Sequence, residues 1–362
     1  MSGADPLTLL RVLFANRGVS PGSLPQVTLA MLASLLRLPF TLADSVWVAA
    51  RRSSVEPITP PIFILGHWRS GTTHLYNIMS RAEHFHTVSP FATALPWDFL
   101  SLTRLFGPAL AKALPEGRYI DNIPVAPDSP QEDEIGLANM SPVSFYHGLY
   151  FPRRFAENFE RGIYFERLGE PQIAAWERRQ RYYYLKLQLE APGARLVIKN
   201  PVYTARLKQL LRLWPEAKFI HIHRNPYKIF FSMRNFYHKL FDQLALQKPP
   251  QIDLDAHILE SYSRMMRALE SDSAGLPANR FYEMRFADLQ AQPMEQMARL
   301  YGQLELEGYA AARPEYLSYL DSVRGYKKNV YLYPTAETAR VGVAWGHFIA
   351  KWGYGVPSAE GP

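Results

Sequence analysis

A glycine- and hydroxyl-rich stretch, GHWRSGTT at 66–73, follows directly after the short apolar run IFIL at 62–65. Gly66 permits a sharp turn, and Gly71 lets the backbone approach a ligand closely. Arg69 adds a fixed positive charge whose donors match a phosphate or a sulfate. Free backbone N–H groups and hydroxyls at the start of the next helix would surround the same anion, supplied by Ser70, Gly71, Thr72 and Thr73. The stretch therefore predicts an anion-binding loop.

A second cation, Arg224, stands in a comparable place in the stretch HIHRNPYKIFFS at 221–232. It follows an apolar run, with Asn225 as the predicted helix N-cap and Pro226 at the first helical position. The residue types alone allow either an anion-binding side chain at the edge of a sheet or a surface ion pair.

Carboxylates cluster in the stretch SPQEDEIGLANM at 129–140. Ser129 can cap a helix there, whose first turn would hold Glu132, Asp133 and Glu134. Acidic residues favour helix N-termini whether or not they take part in chemistry. The apolar continuation nevertheless predicts a helix docked in the core, with its acidic end at a cleft.

Histidine is the other side chain in this sequence that could accept a proton. His67, His74 and His147 are therefore alternative bases, although a single histidine is more often a packed or hydrogen-bonded side chain. His221 and His223 would share one face of a strand, and no third metal ligand stands out beside them, so we predict no metal site.

Short apolar runs alternate with helical patterns along much of the chain. The predicted strands are IFIL (62–65), LVIK (196–199), KFIHIH (218–223) and, more weakly, FYEMRF (281–286). The predicted helices are 72–81, 203–214, 226–240 and 287–301. This alternation predicts an α/β fold with a parallel sheet covered on both faces. Ligands of such sheets bind beyond the carboxyl ends of the strands, so Leu65, Lys199 and His223 should precede one common site.

Composition narrows the class of partner. The 362 residues carry a net charge of +7 and a pI near 9.4, which favours phosphates, nucleotides, sulfated compounds or an acidic membrane. The basic residues are spread along the chain, so we predict no nucleic-acid partner. The absence of cysteine excludes disulfides and thiolate chemistry and fits a cytoplasmic location.

Residues 1–52 are predicted to form amphipathic helices without a secretory signal. The apolar segment at 27–36 is too short to span a bilayer, and Arg37, Pro39 and Asp44 interrupt its continuation. These helices either pack on the remaining domain or lie on a membrane surface. We expect a second region at 53–362.

The ordered set of GHWRSGTTHL, IKNP at 198–201 and HIHRNPYKIFFS resembles the bacterial sulfotransferases that use 3′-phosphoadenosine 5′-phosphosulfate (PAPS). The resemblance continues in SPQEDE (129–134), YEMRFADLQAQP (282–293) and GYKKNVY (325–331), covering roughly 57–354. It implies that 53–362 is a single sulfotransferase domain, with the P-loop NTPase-like fold of that family and about five strands.

The family also implies roles for individual residues. Its first loop holds the 5′-phosphate side of PAPS, which assigns Arg69, Ser70, Gly71, Thr72 and Thr73. Its arginine and serine at the second site hold the 3′-phosphate, which assigns Arg224 and Ser232. A late basic loop closes over the same phosphate in cytosolic relatives, and its loose match here is RGYKKN at 324–329, with Tyr326, Lys327 and Lys328.

Sulfuryl transfer needs a cation near the leaving oxygen and a base for the acceptor hydroxyl. Arg69 replaces the loop lysine of cytosolic sulfotransferases, and Lys199 matches the lysine after their next core strand. Their catalytic histidine falls on Pro201 here, so the base must come from elsewhere. We expect Glu134 first and Glu132 second, with Asp133 as an outward or capping group.

The predicted activity is sulfuryl transfer from PAPS to a hydroxyl of an unidentified small molecule, lipid or carbohydrate, without a metal, giving adenosine 3′,5′-bisphosphate. Aromatic side chains could line an apolar acceptor pocket or simply pack the core; they are Trp97, Phe99, Phe145, Tyr146, Tyr150 and Phe151. One alternative is a metal-dependent P-loop phosphotransferase or kinase, although the GxxxxGK[ST] motif and a strand-end aspartate are missing. The other is a non-catalytic nucleotide-binding protein. The sequence does not indicate an oligomeric state.

Overall fold

The computed structural model describes residues 1–114, 117, 125–325 and 332–357. The strands are β1 (Ile62–Leu65), β2 (Phe85–His86), β3 (Arg195–Lys199), β4 (Lys218–His223) and β5 (Phe281–Arg285). The α-helices are α1 (Pro6–Ala15), α2 (Leu24–Leu36), α3 (Leu38–Arg51), α4 (Thr72–Met79), α5 (Pro90–Ala94), α6 (Phe99–Lys112), α7 (Asp133–Met140), α8 (Tyr146–Tyr150), α9 (Phe155–Tyr164), α10 (Glu170–Glu190), α11 (Leu207–Leu213), α12 (Pro226–Leu244), α13 (Leu254–Ser273), α14 (Phe286–Ala291), α15 (Pro293–Gln303), α16 (Tyr309–Ser322) and α17 (Thr335–Lys351). Short 3₁₀ helices cover Pro21–Ser23, Arg52–Ser54, Pro152–Arg154 and Pro201–Ala205.

The strands form one sheet in the order β2-β3-β1-β4-β5. β4 pairs in parallel with β1, where Ile62 lies opposite Lys218, and in parallel with β5, where Phe219 lies opposite Phe281. The predicted α/β fold and its four strands are confirmed. β2 was not predicted, because two residues are too few to show a periodic pattern.

Burial explains why the strand predictions succeed. All four residues of β1 are buried, as expected for an inner parallel strand covered on both faces. β5 lies at the end of the strand order, and its burial alternates around the exposed Glu283. Its weaker apolar signal therefore has a structural cause.

Two of the predicted helices prove to be interrupted. The stretch 203–214 is a 3₁₀ helix followed by α11, because the side chain of Asn200 caps the backbone amide of Val202 and starts a tighter turn. The stretch 287–301 is divided into α14 and α15, since Pro293 can begin a helix but cannot continue one.

The predicted cap at Ser129 is wrong. α7 begins at Asp133 with Glu132 as its N-cap residue, and the Ser129 hydroxyl instead accepts a hydrogen bond from the amide of Ala126. Ser129 therefore closes a turn before the helix.

The chain divides into two compact units. Unit 1 comprises Met1–Thr59, His86–Ile198 and Lys239–Gln251, and unit 2 comprises Pro60–Phe85, Lys199–His238 and Ile252–Pro362. Unit 1 contains the N-terminal helices and α7, and unit 2 contains both predicted anion-binding loops. The predicted boundary after residue 52 stays a prediction.

The helices predicted at the N-terminus are present as α1, α2 and α3. In the described part of the chain, none of the helices has by itself the length and apolar composition needed to cross a bilayer. Pro21–Leu36 and Leu38–Ser54 meet both criteria when taken together, but they are bent by 47°.

Candidate active site

The first predicted anion-binding loop begins where β1 ends, at Gly66. Gly66 has a φ of +147°, and a Cβ there would lie 2.5 Å from the carbonyl oxygen of Ile222. Its amide donates a hydrogen bond to the hydroxyl of Thr204 at 2.8 Å. The turn therefore requires glycine. It is also held by the hydrogen bond to Thr204, a residue that the sequence did not point to.

Gly71 sets the other end of the loop. It is the N-cap residue of α4 with a φ of +105°, and a Cβ there would meet the ring of Phe286 at 2.1 Å. No side chain caps the first amides of α4. A helix N-terminus of this kind presents N–H groups and a positive dipole end to an anion.

Between the glycines, the hydroxyl of Ser70 is buried and has no hydrogen-bond partner within the described residues. Thr72 is also buried, whereas Thr73 is half-buried. Arg69 adopts a left-handed backbone with φ of +70°, which is unusual for a side chain of its size. A buried hydroxyl without a partner, beside helix amides, fits a phosphate or sulfate oxygen.

The second predicted anion site lies against this loop within unit 2. The Nε of Arg69 donates to the hydroxyl of Ser232 at 2.9 Å. Nη1 of Arg224 donates to the backbone carbonyl of Arg69 at 3.2 Å, and its guanidinium lies 5.2 Å above the ring of Phe286. The structure therefore brings together the two residue sets that the family resemblance assigns to opposite ends of one nucleotide.

The helix that carries Ser232 starts as predicted. The side chain of Asn225 accepts a hydrogen bond from the amide of Tyr227 at 3.0 Å, and Pro226 is the first residue of α12. The cap fixes the end of β4 to the helix, which positions Arg224 immediately before it.

Phe286 is the second residue that sequence reasoning missed. It packs beneath Gly71 and beneath Arg224, so one ring shapes both halves of the site. Its signal was its place as the last residue of the weakest predicted strand, 281–286, whose end was not among the strand ends expected to meet at the common site.

Lys199 is the last residue of β3 and is buried with 2% of its surface exposed. The amide of the next residue, Asn200, donates to the carbonyl of Ile64 in β1 at 3.5 Å. The lysine therefore leaves the sheet one strand away from the Gly66 turn.

The late basic loop lies largely outside the described residues, which include neither Tyr326 nor Lys327 nor Lys328. Arg324, which precedes them, is exposed and pairs with Asp321 at 2.9 Å, one helical turn earlier. The predicted contact of this loop with a phosphate stays a prediction.

The acidic end of α7 lies in unit 1. Glu134 is fully buried, and its Oε1 accepts a hydrogen bond from the Ser144 hydroxyl at 2.6 Å. Asp133 is also fully buried and accepts from the hydroxyl of Tyr184 at 2.7 Å, so its predicted outward position is wrong. Glu132 is half-buried at the N-cap.

Two of the alternative bases are buried histidines. His67 donates from Nδ1 to the Trp68 carbonyl at 3.1 Å, and His147 donates from Nε2 to the Ala138 carbonyl at 3.0 Å. Burial lowers the pKa of each to about 4, so both are neutral near pH 7. His74 is half-buried and packs edge-on against Phe286.

The histidines of β4 are tied to other side chains. Nδ1 of His221 lies 2.8 Å from Glu283, and His223 stacks on Trp352. Burial lowers the pKa of His223 to about 3. Within the described ranges, no three His, Asp or Glu side chains gather in the manner of a metal site.

The aromatic side chains considered for an acceptor pocket differ in burial. Four are buried, namely Trp97, Phe99, Phe145 and Phe151, whereas Tyr146 and Tyr150 are half-buried. The rings of Phe145 and Tyr146 lie 4.6 Å apart, and Trp97 donates from its indole to the carbonyl of Asn139. Core packing accounts for the buried members.

A parallel α/β sheet with a glycine-bounded loop after β1 and an arginine between β4 and a capped helix is the arrangement expected of a group transferase of the sulfotransferase type. The model of the sulfotransferase family matches residues 60–310, and the chain belongs to that family. It is a sulfotransferase.

The curated relatives include the omega-hydroxy-beta-dihydromenaquinone-9 sulfotransferase Stf3 of Mycobacterium bovis and that of Mycobacterium tuberculosis. The chain is 31% identical to each over 300 residues, which cover 82% of this chain and 75% of the relative.

Solved structures show the same fold. Sulfotransferase STF1 from Mycobacterium tuberculosis H37Rv matches with a TM-score of 0.66 and 18% identity, covering 95% of this chain and 90% of that one. Sulfotransferase STF9 from Mycobacterium avium matches with a TM-score of 0.67 and 15% identity, covering 98% of both chains.

Proposed function

We propose that this sulfotransferase uses PAPS as its donor and transfers the sulfuryl group to a hydroxyl of an apolar acceptor. The observation that carries the donor assignment is the contact of Arg69 with Ser232 and of Arg224 with the Arg69 carbonyl. Cations and hydroxyls from two strand ends then bind two phosphate groups of one nucleotide, which a donor with a single anionic end would not need.

In this proposal the loop binds the 5′ end of the donor. The amides at the start of α4 and the hydroxyls of Ser70, Thr72 and Thr73 donate hydrogen bonds to the oxygens on the 5′-phosphate side. Arg224 and Ser232 bind the 3′-phosphate, and the late basic loop with Tyr326, Lys327 and Lys328 closes over the same group.

The transfer forms a bond between the acceptor oxygen and sulfur and breaks the bond between sulfur and the bridging phosphate oxygen. Arg69 and Lys199 stabilise the negative charge that develops on that bridging oxygen, which leaves with adenosine 3′,5′-bisphosphate. Glu134 takes the proton of the acceptor hydroxyl, with Glu132 as the second candidate. The Ser144 hydroxyl holds the Glu134 carboxylate in one orientation.

The acceptor class rests on the curated relatives, whose names describe an omega-hydroxylated menaquinone derivative. We infer a hydroxyl at the end of a long apolar chain for this protein as well. In an assay, acceptors with a hydroxyl at the end of a long apolar chain should be compared directly with related acceptors that have shorter chains.

Calorimetric titration of adenosine 3′,5′-bisphosphate tests the donor assignment. We expect binding at micromolar affinity or better without divalent cations, and Arg224→Ala should weaken it by about tenfold to a hundredfold, since a charge-assisted hydrogen bond contributes about 1.5–3 kcal/mol. Arg313→Ala is the matched control, because Arg313 is exposed in unit 2 and belongs to neither loop.

Two results would contradict the proposal. Magnesium-dependent ATP binding with indifference to the bisphosphate would indicate a phosphotransferase. Tight bisphosphate binding without transfer of labelled sulfuryl group to any alcohol in a broad acceptor panel would indicate a non-catalytic nucleotide-binding protein.

A further inference from the structure

Four helices of unit 1 expose an unusual amount of apolar surface. The outward side chains of α1, α2, α3 and α6 include Phe14 (81% exposed), Leu29 (68%), Leu36 (76%), Leu42 (65%), Val46 (69%) and Leu105 (61%). α1 contacts α2, α2 contacts α3, and α3 contacts α6, so the four helices form one continuous group. Their exposed apolar side chains are here called the apolar face. Exposed apolar surface of this extent marks an interaction site, whereas single exposed leucines do not.

The opposite sides of the same helices are fixed by polar contacts. Asp44 of α3 is buried, pairs with the buried Lys186 at 3.0 Å and accepts hydrogen bonds from the amides of Leu100 and Ser101. The hydroxyl of Ser34 in α2 donates to the carbonyl of Ala4 at 2.8 Å. An ordinary surface helix turns its apolar side inward. These helices bury apolar side chains such as Leu9 and Val48 together with the polar Ser34 and Asp44, and they carry a second set of apolar side chains on the outside.

The charges of these helices have one sign at the surface. Their acidic side chains are inaccessible to a partner, because Asp44 and Asp98 are buried and Asp5 caps α1. The exposed charged side chains of the same helices are basic, namely Arg11, Arg51, Arg104 and Lys112. An apolar face bordered by arginines complements the headgroups and the acyl boundary of an anionic bilayer.

The polar contacts also indicate whether α2 and α3 are suited to cross a bilayer or to lie on its surface. The bent pair formed by α2 and α3 has the composition of a membrane span, but crossing would remove Asp44 from Lys186 and Arg37 from Asp98. Leaving one partner of a buried ion pair alone is strongly destabilising. The pair is therefore suited to lie on a bilayer rather than to cross it.

We propose that the apolar face of α1, α2, α3 and α6 docks the protein on an anionic lipid bilayer, with its leucines inserted at the acyl boundary and its arginines among the headgroups. The observations that support this proposal do not involve the donor site. Its test needs neither donor nor acceptor, so its failure and the failure of the proposed function are separate results.

Co-sedimentation of the full chain with vesicles tests the surface directly. We expect binding to vesicles of equal parts phosphatidylglycerol and phosphatidylcholine. Leu29→Gln combined with Leu36→Gln should lower the partition coefficient about a hundredfold, roughly tenfold for each side chain. Val343→Gln is the matched control, because Val343 is 88% exposed but lies on α17 in unit 2. Arg11→Gln and Arg104→Gln should each weaken binding about fivefold, and only to the anionic vesicles.

The absence of cysteine permits a second, site-specific measurement. Emission from Leu36→Cys labelled with an environment-sensitive fluorophore should shift to the blue on vesicles, and a quencher carried by outer-leaflet lipids should reach all of the label. Val343→Cys should show no shift. Unfolding midpoints should match the wild type, since the replaced side chains are exposed.

Any of three outcomes would overturn the proposal. One is the absence of binding to anionic vesicles, and another is binding that Leu29→Gln with Leu36→Gln leaves unchanged. The third is a self-association of the purified chain that these substitutions abolish while vesicle binding is absent, which would make the face an interface between copies.

Discussion

The loop at 66–73 in unit 2 and the start of α7 in unit 1 both place charged side chains at a helix N-terminus, but they use the charge differently. In the loop, Arg69 and Arg224 are half-buried and reach across to Ser232 and to backbone. At α7, Asp133 and Glu134 are fully buried and each accepts a hydrogen bond from a hydroxyl.

The difference separates two kinds of site. An anion loop relies on backbone amides and on glycines with special φ values, which leaves its cations at the surface for an incoming ligand. A buried carboxylate needs hydroxyl donors supplied from elsewhere in the fold, and those donors limit its orientation. The proposed ligand binding and the proposed proton transfer should therefore respond to different substitutions, and each prediction below tests one side of this contrast.

The largest expected effect concerns the acidic side. Glu134→Gln keeps an acceptor for Ser144 but cannot take a proton, so turnover should fall on the order of 10²–10⁴-fold while bisphosphate affinity is retained. Glu170→Gln is the matched control, because Glu170 also lies in the first turn of a unit 1 helix but is exposed and has no role in the proposed site. Steady-state transfer to an acceptor identified with labelled donor measures both. A fall of only a few-fold for Glu134→Gln would remove it as the base.

The next effect belongs to the anion loop. Gly71→Ala introduces a Cβ at a φ of +105° and 2.1 Å from the Phe286 ring, so the loop must shift. The combined cost of the left-handed backbone and the clash is about 3 kcal/mol, which predicts roughly a hundredfold weaker bisphosphate binding. Gly302→Ala on α15 serves as the control, because a Cβ there meets no atom within 4 Å and the residue belongs to neither anion-binding segment. Unchanged affinity in Gly71→Ala would mean that α4 does not bind the donor.

The smallest expected effect is on the pH dependence of stability, and it compares a buried histidine of unit 2 with one of unit 1. The pKa values of His67 and His147 are lowered to about 4 by burial, whereas an unfolded chain protonates histidine near pH 6.5. The unfolded state therefore takes up the proton first, and the free energy of unfolding falls as pH drops from 6.5 toward 4. Between pH 6.5 and 5.5 each histidine should contribute about 1 kcal/mol to this loss.

Denaturant unfolding at the two pH values measures that loss. His67→Gln and His147→Gln should each reduce the pH dependence, whereas His238→Gln, at an exposed position, should leave it unchanged. A pH dependence that neither buried substitution alters would show that other groups take up these protons.

Local sequence patterns predicted the longer strands of the fold and the positions of the two glycine turns, and the role of those turns in donor binding stays a prediction. The strands β1 and β4 and the glycine positions could be predicted from local patterns, because an apolar run or a glycine can be recognised in the sequence without knowledge of distant contacts. Thr204 and Phe286 were missed, since each acts through space on a loop far away in the chain. The wrong position of Asp133 has the same origin, because its partner Tyr184 lies in another helix, whereas Ser129 was misplaced by a local turn with Ala126.

The ion pair of Asp44 with Lys186 connects α3 to α10. The N-terminal helices therefore contribute to the stability of the fold as well as to its surface. Burial lowers the pKa of Lys186 to about 8, so at neutral pH this lysine still carries a charge that Asp44 neutralises. Trimming the first fifty residues to obtain a more tractable enzyme would strand that ammonium group in the interior. The segment is thus a permanent part of the folded body, and any shortened version must carry a neutral residue at 186 as compensation.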